Sequence, residues 1–323
     1  MIVPLIQNET LKILRRRRFM VVVGILFVIL SLVSYSQVEK LKRSRNQNWR
    51  ADLQERIARY ENYVRRARPN ETWVRTMRND IKRLQFYLDH DINPEEPTAP
   101  LVVRVFANAA GWLLPLLVAI IGSDIVSAEA AEGTNKLLLT RPVRRCKILT
   151  AKLITLLGFA TLTLIVGAVI AYAVTSPFIP ARGWNAPVFN GFQLTRENVN
   201  LDNVRTLPLW KDAMIAYGLE WYALLAVAAV SLLLSVIFRS SAAAIGTMLA
   251  SLIGGTILTR ISADWTAGKY IFVSAVPLSD YYSGLATPYE GMSMAFCINL
   301  LAIWAVAALI GAYVLFTRRD VFG

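Results

Sequence analysis

The chain offers little of the side-chain chemistry that enzymes use. Its single histidine, His90, stands between Asp89 and Asp91 in a polar stretch. A zinc site needs three or four ligands, and a histidine-based hydrolase needs a nucleophile within reach of the ring. We therefore interpret His90 as a solvent-facing loop residue and predict neither a catalytic site nor a metal site.

Nucleotide hydrolysis is also not expected of this chain. The phosphate-binding pattern G-x-x-x-x-G-K-[ST] does not occur, and its closest approach is Gly268-Lys269, which Tyr270 follows. The two cysteines, Cys146 and Cys297, fall in segments predicted to face opposite sides of a membrane, so no disulfide is expected. We predict that the chain is not an enzyme and holds no cofactor, and that any ATPase activity belongs to a partner subunit.

The composition indicates a membrane protein. Hydrophobic residues make up 55% of the chain, and its mean hydropathy is +0.44. The 35 Lys and Arg residues outnumber the 22 Asp and Glu residues. In such a protein, basic residues set the topology and contact anionic lipids, so we expect no nucleic-acid partner.

Six runs are long and apolar enough to form transmembrane helices. They cover residues 19–36, 101–123, 148–175, 213–238, 242–259 and 295–316. A cleaved signal peptide is the alternative for the first run, but its length, its basic leader and the five later runs favour a span. We predict an all-α membrane protein with six transmembrane helices.

Charges in the short connections predict the orientation of the spans. Basic clusters at 12–18, 141–147 and 317–320 all fall on one side of the predicted bundle. Basic short loops face the cytoplasm, so both termini are predicted to be cytoplasmic in a multi-pass protein of the cell membrane. The connection 37–100 is also basic, but it is too long for this charge rule to apply.

The long connection 37–100 carries two amphipathic patterns, one on each side of Pro69. Their apolar positions are Trp49, Leu53, Ile57, Tyr60 and Val64, then Trp73, Met77, Ile81, Leu84 and Leu88. We predict an extracellular helical hairpin between the first two spans. It could sense or gate a substrate or bind anionic lipid, or it could be a solvated scaffold that packs on itself or on a partner copy.

The first 18 residues favour an interfacial amphipathic helix on the inner leaflet. Leu5, Ile6, Ile13 and Leu14 lie near one helical face, and four arginines follow at 15–18. A disordered basic leader is the alternative, which the recurring apolar residues disfavour.

The connection 124–147 combines a helix end with a short apolar turn. Gly133 is suited to ending a helix that extends the second span, and Thr134 to capping a short helix over 135–139. Three leucines on this turn, at 137–139, need burial. They could pack on the bundle itself or on a protein partner.

In order and spacing, this connection resembles a segment of the permeases of ABC-2 type ABC transporters. The residues that carry the resemblance are Asp124, Glu129, Glu132-Gly133-Thr134, the three leucines, Pro142, Arg145 and Lys152. In that family the segment is the coupling helix, which docks on a separate ATPase subunit. The resemblance implies the following ATPase-coupling residues: Glu129, Glu132, Gly133, Thr134, Lys136, Leu137, Leu138, Leu139, Arg141, Pro142 and Arg145.

The resemblance also implies an ATP-driven exporter built from two six-span halves, the second being an identical chain or a sister permease. The segment 260–294 would form re-entrant-like external helices. The long hairpin departs from simple polysaccharide exporters and favours a drug, an antimicrobial peptide, a lipid-like amphiphile or an ion as substrate. The alternative is a mechanotransmission complex that uses a partner's ATP hydrolysis to move the hairpin.

Two features inside the spans predict packing. Small residues repeat every four positions in the fifth span and favour close approach of a neighbouring helix. They are Ala242, Gly246, Ala250 and Gly254. Arg104, near the outer end of the second span, is expected to snorkel to the membrane surface.

Overall fold

Eleven helices make up most of the part of the chain that the structure describes. The computed structural model describes residues 2–15, 17–45, 48–66, 72–96, 98–133, 143–194, 199–200, 204–261, 265–283, 289 and 292–318. The helices are α1 (Val3–Arg15), α2 (Arg18–Arg45), α3 (Trp49–Arg66), α4 (Thr72–Asp89), α5 (Ala99–Asp124), α6 (Ser127–Ala131), α7 (Arg145–Thr175), α8 (Leu209–Ile237), α9 (Ser241–Ile261), α10 (Leu278–Tyr282) and α11 (Met294–Arg318).

Six of these helices in the described chain, α2, α5, α7, α8, α9 and α11, are long and apolar enough to cross a membrane. Each coincides with one of the six predicted apolar runs, and most extend past it into polar residues, because helical hydrogen bonding continues beyond the hydrocarbon region. The protein is an all-α membrane protein, apart from short strands in one connection.

Helices α5 and α8 form the centre of the bundle. They pack on each other, α5 also contacts α7 and α9, and α8 also contacts α11. The side chains of Leu114 and Leu224 are fully buried at this centre. In the most apolar stretches of α2, α9 and α11, only 22%, 22% and 28% of the residues are buried within the described chain, as expected for spans that face lipid or another subunit.

The spanning helices alternate in direction, and contacts between their ends define two sides. On the α1 side, the end of α5 meets the end of α8 through Ser235, and Arg145 at the start of α7 donates to the carbonyl of Thr317 at 3.1 Å. Helices α3 and α4 belong to the opposite side, which we call the hairpin side. There the amide of Ala99 donates to the carbonyl of Pro180 at 2.9 Å.

Helices α3 and α4 pack against each other along the two predicted apolar stripes. Leu53 and Ile57 of α3 are buried against Ile81 and Leu84 of α4. The exposed faces carry mostly charged residues. This pair therefore has its own small core, separate from the main core of the bundle.

The connection from α7 to α8 contains two antiparallel ladders that the all-α prediction omitted. Strand β1 (Pro187–Asn190) pairs with β4 (Arg205–Pro208), and β2 (Gln193–Leu194) pairs with β3 (Val199–Asn200). Strand β1 also contacts α4, because Phe189 packs edge-on against Phe86 at 4.9 Å between ring centroids. The ladder thus bridges the α3–α4 pair and the bundle.

The connection from α9 to α11 is built of short helical turns. Two 3₁₀ turns, Thr266–Tyr270 and Phe272–Ala275, precede α10. Pro277 separates the second turn from α10, since proline favours the start of a helix and not its interior. Leu278 and Ser279 at the start of α10 are fully buried, so this segment enters the hairpin side of the bundle.

Candidate functional site

The α1 side of the bundle contains a break between α5 and α6. The helix stops at Asp124 and resumes at Ser127, and the hydroxyl oxygen of Ser235 accepts hydrogen bonds from the amides of Val126 at 2.9 Å and Ser127 at 3.0 Å. These bonds satisfy the amides that the break leaves without helical partners. The break places Glu129 against α1 and α7.

Helix α1 presents a face with both polar and apolar residues to the bundle. Glu9 and Ile13 are buried against it, whereas Val3, Leu11 and Leu14 are exposed. The rest of the described chain therefore leaves these three apolar side chains of α1 uncovered.

Four charged side chains from α1, α6 and α7 form a largely buried cluster, which we call the charge cluster: Glu9, Lys12, Glu129 and Lys152. The amine of Lys152 lies 2.7 Å from Glu9 Oε2 and 2.8 Å from Glu129 Oε1, and it donates to the carbonyl of Ile125 at 3.1 Å. The amine of Lys12 lies 2.8 Å from Glu9 Oε1 and 2.6 Å from Glu129 Oε1.

The charge cluster is balanced, and three of its four side chains are buried, whereas the side chain of Lys12 is 34% exposed. Lys152 is fully buried, and Glu9 and Glu129 are each 5% exposed. Two carboxylates face two amines, so each charge has a partner, which offsets the cost of taking it out of water. Burial lowers the pKa of Lys12, but its hydrogen bonds to Glu129 and Glu9 outweigh that effect and raise the pKa above its ordinary value.

A cavity adjoins the charge cluster. Its volume of about 30 Å³ has room for a single water molecule. Its lining consists of Glu9, Lys12, Ile13, Ile121, Asp124, Ile125 and Glu129. The cavity lies between α1 and the last turn of α5.

The predicted coupling residues are divided between this site and the surface. Glu129 belongs to the charge cluster, whereas Glu132 and Gly133 are exposed. Gly133 has φ +68°, the left-handed conformation with which glycine ends helices. Arg145 reaches the end of α11. Thr134, Lys136, Leu137, Leu138, Leu139, Arg141 and Pro142 lie outside the described residues.

Two members of the charge cluster, Glu9 and Lys12, were not singled out from the sequence. A signal was available, because Leu5, Glu9 and Ile13 follow one another at intervals of four residues. An acidic residue within the apolar stripe of an amphipathic helix is costly to bury unless it meets a cation. The spacing indicates that Glu9 needs a partner, but it cannot identify Lys152.

The predicted packing positions of the fifth span lie on an uncovered face of α9. A Cβ atom added to Gly246 or Gly254 would have no neighbour within 4 Å, and Ala242 and Ala250 are exposed. Within the described chain, no other helix makes the close approach that this pattern favours. The approach of a separate subunit to this face stays a prediction.

A second buried polar network lies on the hairpin side and includes Arg104. The prediction that Arg104 snorkels to the membrane surface is wrong. Arg104 is only 7% exposed and pairs through its Nε with Asp212 of α8. Its other guanidinium nitrogens donate to Asn108 at 2.8 Å and to Ser283 at 2.7 Å. Asp212, which was missed, makes the interior the better environment because it supplies a buried counter-ion.

Strand β1 connects this network to the α3–α4 pair. Asn190 donates a side-chain hydrogen bond to Asp212, and the neighbouring Phe189 packs against Phe86 and Tyr87 of α4. His90 stacks on Phe86 with ring centroids 4.1 Å apart, and it is exposed. The ladder therefore joins α4 to the buried Arg104–Asp212 pair.

The six apolar helices and the two buried polar networks define a multi-pass membrane protein. The chain belongs to the family described as "Protein of unknown function (DUF2705)", whose model matches residues 74–322. The match includes Glu129 and Lys152 and begins after α1, which carries the other half of the charge cluster.

Two proteins of Bacillus subtilis (strain 168) are similar to the chain. "Uncharacterized protein YhcI" is 29% identical over 325 residues, which cover 98% of this chain and 98% of that protein. "Uncharacterized membrane protein YdbK" is 30% identical over 213 residues, which cover 65% of this chain and 78% of that protein. The name of the second agrees with the membrane character of the chain.

Proposed function

We propose that the chain is the transmembrane permease subunit of an ATP-driven ABC-2 type exporter. The observation that carries this proposal is the charge cluster, which ties α1 to α6 and α7. The segment 134–142, which resembles a coupling helix, lies directly between α6 and α7 in the chain. A force applied to that segment by a partner would reach the bundle through both flanking helices.

The charge cluster is suited to transmitting such a force. Its four side chains interlock through short, buried contacts, and displacing one of them would strand a partner charge away from water. Helix α1 and the ends of α6 and α7 are therefore expected to move together. Coupling to ATP hydrolysis needs an element with two positions whose equilibrium a partner can bias, and we propose that α1 and the ends of α6 and α7 together form that element.

In this proposal the α1 side faces the cytoplasm, and the protein lies in the cell membrane with both termini inside. Helix α1 rests in the inner leaflet: the exposed Val3, Leu11 and Leu14 face acyl chains, and Arg15 and Arg17 meet lipid phosphates. A separate ABC ATPase subunit docks on this side and supplies the ATP hydrolysis.

The other assignments follow from the same topology. Helices α3 and α4 form an extracellular hairpin. A second permease, which is an identical or a sister chain, packs against the exposed faces of the bundle and completes the translocation path. The uncovered small-residue face of α9 is suited to that contact. The substrate class is an amphiphile of the drug, antimicrobial-peptide or lipid type, or an ion.

A second candidate function, mechanotransmission without transport, is favoured by the joint between α4 and β1. Phe86 and Tyr87 pack on Phe189, and Asn190 beside it contacts the buried Asp212. A relative motion of α5 and α8 would therefore reach the hairpin. Reconstitution with the ATPase separates the two functions: ATP-dependent movement of an amphiphile supports export, and hairpin motion without movement of any amphiphile supports mechanotransmission.

The docking itself is tested by Leu138→Asp. A carboxylate at an apolar docking contact would be buried without a partner, and we expect loss of ATPase co-purification with membrane expression near that of the wild type. Lys147→Ala, at an exposed position of α7, is the control and should have a mild effect. If Leu138→Asp abolishes expression while the surviving protein still binds the ATPase, the leucines belong to the permease's own core.

A further inference from the structure

Glu220 is a buried acidic residue of α8 that neither the charge cluster nor the Arg104 network uses. Its side chain is fully buried and lies against Gly111, halfway along α5. Its Oε1 accepts a hydrogen bond of 3.2 Å from the backbone amide of Ser279, at the start of α10. The carboxyl group thus lies where α5, α8 and α10 meet.

The second carboxyl oxygen, Oε2, has no hydrogen-bond partner in the described part of the chain. The space around it is tight, because a Cβ atom on Gly111 would lie 2.8 Å from Oε1 and 3.2 Å from Oε2. A ligand of several atoms would not fit between these helices as they are packed. On the side of Gly111, the carboxyl group packs directly against the backbone of α5.

The charged groups that face Glu220 do not neutralise it. Arg104 of α5 carries the opposite charge and attracts Glu220 electrostatically, but its guanidinium is already paired with Asp212. From α10, Asp280 has the same sign as Glu220. The described residues include no ion pair with Glu220.

The other helices packed on α8 bring no further charge to this level. Helix α11 has no Asp, Glu, Lys, Arg or His over 294–317, α7 has none over 153–175, and α9 has none over 241–259. An ionised carboxyl group here would have one amide donor and no counter-ion, in a bundle surrounded by lipid.

We propose that Glu220 is a proton-binding site in the core of the bundle, and that its occupancy controls whether α10 stays inserted between α5 and α8. When the proton binds, an O–H bond forms on the carboxyl group and the negative charge disappears, with the proton supplied by water on the hairpin side. When the proton returns to water, the carboxylate requires solvation, which the packed site does not provide.

Helix α10 is the element that would respond. Its Ser279 is held twice, by its amide to Glu220 and by its hydroxyl to Asn108 of α5. Solvating the carboxylate would require water to enter between these groups, and this would displace α10. Asp280, next to Ser279, lies close enough to act electrostatically on Glu220, and burial raises the pKa of Asp280 to about 6, against the opposing effect of Arg104.

The test uses the purified full-length permease in lipid nanodiscs and infrared spectroscopy of the carboxyl stretching region. We expect a band of a protonated carboxyl group at neutral pH that is absent from Glu220→Gln. Glu55→Gln, which removes an exposed carboxyl group of α3, is the matched control and should keep the band. A band of equal intensity in wild type and Glu220→Gln, or none in the wild type at neutral pH, would overturn the proposal.

Hydrogen exchange of residues 278–282 gives a second, independent measurement. As pH rises into the alkaline range, protection of α10 should fall in the wild type and persist in Glu220→Gln, which keeps the neutral form. Loss of protection in both proteins at the same pH would contradict the link to α10. Since neither measurement needs an ATPase, failure of the exporter proposal would leave this test unaffected.

Discussion

Replacing Lys152 by methionine would test whether the charge cluster stabilises the α1 side of the bundle. Methionine retains much of the length of the lysine stem and removes its charge. The substitution would leave Glu9 and Glu129 facing one amine, that of Lys12. The balanced set of two positive and two negative charges would become a buried site with an excess negative charge.

The magnitude follows from the burial of Lys152 and from the partners of its amine. The amine is fully buried and lies at 2.7, 2.8 and 3.1 Å from two carboxylates and a carbonyl. Removing one partner of a buried ion pair costs about 3–5 kcal/mol, because the remaining charge stays buried without compensation. We expect Lys152→Met to lower the free energy of unfolding by an amount in that range.

A double-mutant cycle identifies the origin of this cost. Glu9→Gln removes the partner of Lys152 at 2.7 Å, and the double variant restores a cluster of one positive and one negative charge. We expect the double variant to be less destabilised than the sum of the single variants, with a coupling energy on the order of 2 kcal/mol.

The assay is thermal unfolding of the purified proteins in one detergent at neutral pH. Lys147→Met, which makes the same substitution at an exposed position of α7, is the control and should melt close to the wild type. If Lys152→Met costs less than about 1 kcal/mol, or if the two substitutions add within about 0.5 kcal/mol, the cluster is solvated and our account of it is wrong.

Two further predictions concern the hairpin side. Gly111→Ala should lower the melting temperature relative to Gly246→Ala, because its Cβ would lie 2.8 Å from Glu220 Oε1, whereas at Gly246 it would meet nothing within 4 Å; equal melting temperatures would contradict this packing. Burial raises the pKa of Asp280 from 3.8 to about 6, despite the opposing effect of Arg104, so the folded state binds this proton more tightly than the unfolded chain. The contribution of Asp280 to the free energy of unfolding should therefore fall as pH rises from 3.8 to about 6 and stay level above that pH. At about 1.4 kcal/mol per pKa unit, this fall amounts to about 3 kcal/mol. Thermal melts across that pH range should not show this fall for Asp280→Asn, and a fall as large as in the wild type would refute the assignment. The control Asp89→Asn, at an exposed position, should show the same fall as the wild type.

Local patterns in the sequence were sufficient to predict several parts of the fold. The spans follow from runs of apolar residues, since a helix that crosses hydrocarbon must be apolar along its whole length. The α3–α4 pair follows from the helical spacing of its apolar residues, and Leu53 and Ile81 lie on the packed faces. Gly133 marks a helix end because its left-handed backbone conformation is costly for other residues.

The strands β1 and β4 were not predicted, because each has only four residues and no clear alternation of apolar and polar side chains. Their pairing depends on the ends of α7 and α8 being brought together. Arg104 was misassigned for a related reason: its surroundings depend on Asp212, which is 108 residues away in the chain.

The sequence by itself determined that this chain crosses a membrane, roughly where its helices lie and that it carries a segment resembling a coupling helix. Only the tertiary structure decided which polar side chains meet. Glu9 and Lys152 are 143 residues apart, and the contact between Glu220 and the amide of Ser279 depends on how α10 is inserted. Hydrophobicity acts residue by residue and is therefore visible in the sequence, whereas the partner of a buried charge depends on the rotation and depth of separate helices, which their packing sets together.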